Sequence, residues 1–340
     1  MRQKLLTTFL LSASIATFAG APAFAAESGP ANGVRLTKYI LGVADLDKSF
    51  AFYHALGAEL QGATALKPPA PLPDMLLKLV DVPPGTKFRN AMLKLPGADF
   101  GVEMTEFTNM DLHPGKPQSY DPGAALLILT VRDVDAALAT AKKAGAQVVT
   151  SGGAPLGIGR NNTARAVLVR DPDSYYVEFV QPSPLPATTA PAGSNVIGAR
   201  FAAVVADAEK AAQFYHDQFG LEAKVNPWAQ NANALKLSGL ASGQLRSATV
   251  TVPGSTLAWT FLEFKTTGAT PYKLRIPDPG AGAVGLEVRD LDAASAAMKV
   301  AGGSVITIGG RMKSPDGGGV AFTRDPNGIL VELAQSSPKK

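Results

Sequence analysis

The apolar positions follow one pattern four times along the chain. An apolar run ends at an aspartate. A helical period follows, and then short β-rich runs. The junctions are Val43-Ala44-Asp45-Leu46-Asp47, Val131-Arg132-Asp133-Val134-Asp135-Ala136-Ala137, Val205-Ala206-Asp207-Ala208-Glu209 and Val288-Arg289-Asp290-Leu291-Asp292-Ala293-Ala294. Each Asp is placed to cap a helix, because its side-chain oxygen can accept from the unpaired N–H groups of the first turn. In the first copy Leu46, Phe50, Tyr53 and Leu56 recur at helical spacing, and Gly57 ends the run. The third copy carries Phe214-Tyr215-His216 before Gly220. The second and fourth end at Lys143-Ala144-Gly145 and Lys299-Val300-Ala301-Gly302. The pattern predicts strands over Met92–Leu95, Phe100–Phe107, Ala166–Val169 and Tyr175–Val180 in the first half. Ala248–Val252, Ala258–Phe264, Val320–Thr323 and Ile329–Ala334 follow in the second. The unit is strand, helix, then about three strands. A unit of this size cannot close a core alone, so adjacent units are expected to pair.

Two composition breaks divide the chain. Residues 1–25 read as a signal peptide. Arg2 and Lys4 are followed by an apolar run from Leu5 to about Phe18, and Ala23-Phe24-Ala25 is a small-x-small cleavage site. The run is too short and too interrupted for a membrane span, and no other segment is long and apolar enough for one. The expected location is the periplasm or the exterior. Pro182 to Ser194 is rich in proline and small residues and reads as a semi-rigid linker, 182–194. The domains expected on either side are 34–181 and 195–336.

Charge and composition narrow the functional classes. The formal charge is +4, and two of those charges, Arg2 and Lys4, lie in the leader, so about +2 remains. That balance gives no case for a nucleic-acid partner. The absence of cysteine excludes thiol catalysis and thiolate-bound metal.

The chain resembles the vicinal-oxygen-chelate superfamily of glyoxalase, bleomycin-resistance and extradiol-dioxygenase proteins. The resemblance rests on Asp45 to Gly57 with Phe52-Tyr53, on Asp207 to Gly220 with Phe214-Tyr215, and on two terminal phrases. These are Arg170-Asp171-Pro172-Asp173-Ser174-Tyr175-Tyr176-Val177-Glu178 and Arg324-Asp325-Pro326-Asn327-Gly328-Ile329-Leu330-Val331-Glu332. Ser174 stands where glycine is usual in that pattern. The resemblance implies an α+β fold of two tandem domains, each a pair of βαβββ modules forming a cupped mixed sheet. It also implies a metal in the cup, held by a His in the first strand and a Glu or Gln in a late strand of each module. The His position lies seven residues before the helix-capping Asp. Here those positions hold Lys38, Leu126, Arg200 and Ala283. None is His.

The late-strand acids remain: Glu106 and Glu178 in the first half, Glu263 and Glu332 in the second. Glu103 is an alternative to Glu106, since residues three apart on a strand face opposite sides. Pairing modules within each half gives the sets Lys38, Glu106, Leu126, Glu178 and Arg200, Glu263, Ala283, Glu332. Two carboxylates beside a fixed cation make a poor metal cage. The expectation is therefore no metal and no cofactor, with Lys38 and Arg200 neutralising the acids in place of a metal ion.

Several roles fit these residues. As internal ion pairs they would only stabilise the cup. As a binding site they would hold a small organic molecule, with Arg200, Glu263, Glu332, Tyr39 and Arg160 as ligand-binding residues. As an enzyme, a metal-independent lyase or isomerase, the chain would use Lys38, Glu106 and Glu178. There a desolvated Lys38 of lowered pKa would act as base or nucleophile. A divergent metal-dependent dioxygenase or lyase and a non-catalytic interaction module are further alternatives.

Of the three histidines, His54 and His216 fall on helix surfaces and His113 in a loop. Gly157-Ile158-Gly159-Arg160 and Gly309-Gly310-Arg311 read as hairpin loops, since neither leads from a strand into a helix as a phosphate loop does. Arg160 and Arg311 remain within reach of a cup rim. The segment Lys67–Val80 reads as a lid or as core, and Trp228 and Trp259 as pocket lining or core filling.

Overall fold

The computed structural model describes residues 34–62, 65–251, 258–314 and 317–336. The expected leader, 1–25, lies outside them. Four modules repeat one order. The first has strand Val34–Val43, helix Leu46–Ala55 and strands Lys87–Lys94 and Gly101–Thr108. The second has Ala125–Val131, helix Val134–Lys143, Ala164–Arg170 and Tyr176–Pro182. The third has Val196–Val204, helix Ala208–Phe219, Gln244–Thr251 and Ala258–Lys265. The fourth has Gly282–Val288, helix Leu291–Val300, Gly319–Arg324 and Leu330–Gln335.

The four aspartates cap these helices. Asp45 accepts from the backbone N–H of Lys48, Asp133 from Asp135 and Ala136, Asp207 from Lys210 and Asp290 from Ala293. Each cap is worth about 1 kcal/mol. Gly57, Gly145, Gly220 and Gly302 follow the helices at positive φ, where a side chain would be strained.

The modules assemble into two mixed sheets. Val34–Val43 runs antiparallel to Gly282–Val288, and each is flanked by the last long strand of its own module in parallel. Ala125–Val131 and Val196–Val204 form the same centre in the second sheet. The α+β class and the pairing of βαβββ modules stand as expected, but the choice of partner differs from the sequence reading. The first module joins the fourth, and the second joins the third. Each sheet therefore takes one module from each half.

Modules of the same half meet through their helix-bearing faces. Tyr53 donates to Asp171 at 2.8 Å, and Tyr215 donates to Asp325 at 3.0 Å. The Phe-Tyr pair of one module is thus tied to the Asp-Pro turn of the next. With those faces committed, the free edge of each first strand is completed from the other half. Leu41, Val43, Leu127, Leu129, Phe179 and Phe261 lie in the core shared by the two sheets.

The opposite, concave faces carry smaller cores. Leu77, Leu79 and Val80 of helix Asp74–Val80 pack with Ile40, Phe107 and Ala283 of the first sheet. Thr307 donates to the Leu79 carbonyl at 2.8 Å and fastens that helix. Of the two readings of Lys67–Val80, core describes its helical part. In the second sheet, Leu237 of helix Ala232–Leu237 joins Leu126, Ile128 and Tyr176, and Thr150 donates to its carbonyl at 3.2 Å.

Asp171 and Asp325 are buried. Burial is the main cause that pushes the Asp171 carboxyl up to about 7 and the Asp325 carboxyl up to about 6. An acid raised on folding stabilises fully below the ordinary carboxylate range, and that contribution is lost as pH rises through the folded value. Stability should therefore fall between about pH 4 and 7. Asp171→Asn should flatten that slope, measured by urea denaturation across the range. Tyr53→Phe and Tyr215→Phe should each cost about 1–3 kcal/mol, since a buried acceptor loses its donor.

Candidate functional site

The concave face of the first sheet holds an ionic cluster built from both halves of the chain. The strand register places Lys38 opposite Gly285, with Glu332 on the next strand beside Gly285. Lys38 Nζ lies 2.6 Å from Glu103 Oε2 and 3.0 Å from Glu332 Oε1. Asn90 donates to the other Glu103 oxygen at 2.6 Å. The aliphatic stem of Lys38 lies over Gly285. A Cβ on that glycine would meet Lys38 Cγ at 2.7 Å and Thr37 Oγ1 at 2.9 Å. Glycine is what lets the lysine cross the strand and reach both carboxylates.

Burial alone would lower the Lys38 pKa, but Glu103 and Glu332 outweigh it and hold the ammonium above its ordinary value. This corrects the expectation of a lowered Lys38 acting as base or amine nucleophile: the side chain stays protonated. Burial would raise Glu103, yet Lys38 and Asn90 hold it below the usual range. Burial keeps Glu332 above that range against the pull of Lys38, with Glu103 adding to the rise.

Glu106 and Glu263 are elsewhere. Strand alternation puts Glu106 on the helix-bearing face. It accepts from the backbone N–H of Leu46 at 2.6 Å and from Arg89 Nη2 at 2.7 Å. Glu263 repeats this, accepting from Ala208 N at 2.9 Å and from Arg246 Nε at 2.5 Å. Both acids satisfy helix N-termini. Glu103 therefore takes the place in the cup that the sequence reading gave to Glu106. Its counterpart in the third module is Thr260, three residues before Glu263.

The cups regroup accordingly. The first holds Lys38, Glu103, Ala283 and Glu332. The second holds Leu126, Glu178, Arg200 and Thr260. Burial pushes the Glu178 carboxyl up, and Arg200 pulls it back only in part. Arg200 is exposed and makes no hydrogen bond or ion pair among the described residues.

Other sequence candidates fall outside the cups. Tyr39 is buried in the core between the sheets, bonded to Tyr175 and stacked on Phe201 at 5.0 Å. It lines no cup, because alternation turns it away from the face that Lys38 occupies. Trp259 fills the same core. Trp228 lies under Arg246 and Lys265, with centroid distances of 5.0 and 4.0 Å. His54 and His216 donate through Nδ1 to the carbonyls of Ala58 and Leu221 just past their helices, and His113 is exposed beside Asp111. Arg160 opens a short turn, 160–162, and its side chain lies outside the described residues. Arg311 pairs with Asp292 at 3.1 Å.

The donor sets do not suit a metal. In the first cup an ammonium stands between the two carboxylates, and the fourth position is Ala283. In the second, one carboxylate faces a threonine, a leucine and an arginine. Among the described residues, no group of three or more His, Cys, Asp or Glu side chains is placed to hold an ion. A divalent cation and a protonated lysine cannot share the space between Glu103 and Glu332.

The family model "Glyoxalase/Bleomycin resistance protein/Dioxygenase superfamily" matches residues 35–179 and 199–333. Glyoxalase I from Zea mays is similar in structure, with a TM-score of 0.56 and 19% identity, over 89% of this chain and 93% of that one. A single-substitution mutant of the same maize enzyme gives 0.54 at 20% identity, over 89% and 93%. Identities this low support the fold alone. No curated protein matches. The two matched segments coincide with the two halves of the chain, and the protein belongs to the glyoxalase/bleomycin resistance protein/dioxygenase superfamily.

Proposed function

We propose that this is an exported protein that binds a small organic molecule on its concave sheet faces without a metal ion. The observation that carries the reading is the Lys38 ammonium, seated between Glu103 and Glu332. It supplies a fixed positive charge between the two acids, in the place that a metal ion would take. The fold class provides the concave faces, and such faces are common ligand sites. Export rests on the basic, apolar and small-residue order of residues 1–25.

A second reading is a metal-independent lyase or isomerase. It is favoured by Glu332, whose raised carboxyl lies beside a fixed ammonium. A carboxyl of that kind can carry a proton, and the ammonium can polarise a carbonyl. In this reading Lys38 acts as an electrostatic group, and Glu332 takes the place of the acid expected at Glu106 or Glu178.

Four outcomes are expected. Lys38→His replaces the ammonium with an imidazole between two carboxylates. That variant should gain a rise in melting temperature with millimolar zinc or nickel, while the wild type shows none. A wild-type rise of equal size, reversed by chelator, would count against the metal-free reading. Lys38→Met leaves two carboxylates facing each other and should cost about 3 kcal/mol. The triple change Lys38→Met, Glu103→Gln, Glu332→Gln should recover most of that loss. A thermal-shift screen of small organic acids, amides and aldehydes should find at least one compound that stabilises the wild type. Complete absence of hits would argue against small-molecule binding. Amino-terminal sequencing of protein from the exporting cell should begin at Ala26.

A further inference from the structure

The two cups differ at the register position between cation and acid, and the cation of the second cup makes no ion pair among the described residues. In the first sheet the row across the centre reads Lys38, Gly285, Glu332. In the second it reads Arg200, Ile128, Glu178. Gly285 leaves the space that the Lys38 stem fills. Ile128 is a buried side chain at the equivalent point. Arg200 therefore does not lie across the strand onto Glu178, and it is exposed instead.

Arg200 borders an open groove of about 410 Å³. Its other lining is mainly apolar, with Ile158, Val180, Pro184 and Pro186, and Thr130 and Thr163 also border it. Pro184 and Pro186 come from the segment first read only as a linker, so that segment also builds a wall. Among the described lining residues Arg200 is the only one with a charge.

We propose that this groove binds a small monocarboxylate with an apolar body, its carboxylate held by Arg200. The inference rests on the small-molecule reading above and names the site and the ligand chemistry. A guanidinium offers a planar fork that matches a carboxylate in two parallel hydrogen bonds. Apolar walls beside one cation fit a ring or short chain carrying a single negative charge. A doubly charged phosphate ester would lack a second cation among the described lining residues.

The test uses the full mature chain and isothermal titration with benzoate and octanoate, with benzamide and octanamide as uncharged controls. Wild type should bind at least one carboxylate at least tenfold more tightly than its amide. Arg200→Met should lose that preference, and Arg200→Lys should keep part of it. Lys48→Met, which removes an exposed cation of the first module, should leave it within about twofold. A preference that survives Arg200→Met, or that vanishes in folded Lys48→Met, would overturn the proposal. So would failure of both carboxylates to bind at 10-fold the concentration that saturates any screen hit. Hits with no carboxylate preference would overturn this inference while leaving the small-molecule reading intact. A screen with no hits would overturn both.

Discussion

The antiparallel pairing of first strands from opposite halves of the chain is the constraint on which the rest depends. Thr37 donates to the carbonyl of Gly285 at 3.0 Å across a separation of 248 residues. The same register brings Lys38 over Gly285 and within reach of Glu332. Without it the ionic cluster has one carboxylate and no glycine gap. A shift in register just before Lys38, between Leu36 and Lys38, recurs in the second sheet between Val196 and Gly198. A bulge of this kind re-aims the side chains that follow it. Contacts so distant in sequence close large loops, so the sheets cannot form before the two halves meet.

Local features of the fold were legible because local chemistry decides them. An Asp after an apolar run has one good use, and all four cap helices. The Phe-Tyr pairs and Asp-Pro turns were visible as motifs, although their meeting through Tyr53–Asp171 and Tyr215–Asp325 was not. The partner choice of the modules could not be read, because the four are alike. Strand edges that share one apolar pattern can satisfy either pairing, and only the packing of their helix-bearing faces separates the two.

The site was legible in part for the same reason. Lys38 stood out as a cation where a metal ligand is usual, and the expectation that it would neutralise acids agrees with its two ion pairs. Which acids they were depended on distant register. Strand alternation narrowed Glu103 and Glu106 to one residue without deciding between them. The helix-capping role of Glu106 had a signal, however. Its Glu-Phe phrase recurs as Glu263-Phe264, and both modules place an arginine opposite the Glu, Arg89 and Arg246.

That recurrence separates scaffold from site. The Glu–Arg pairs at the helix starts, the Tyr–Asp bonds and the threonines fastening the short helices occur once in each half or each sheet. Each meets a need that the fold itself creates: an unpaired N–H, a buried carboxyl or a loose carbonyl. Each half carries its own set. Lys38, Glu103 and Gly285 have Arg200, Thr260 and Ile128 as their counterparts, and the fold tolerates both sets. Stability has no need of that difference, since either cup closes its own apolar core. One set turns its cation inward onto two carboxylates, and the other turns it outward to solvent. The two concave faces are thus free to recognise different chemistry on one shared frame.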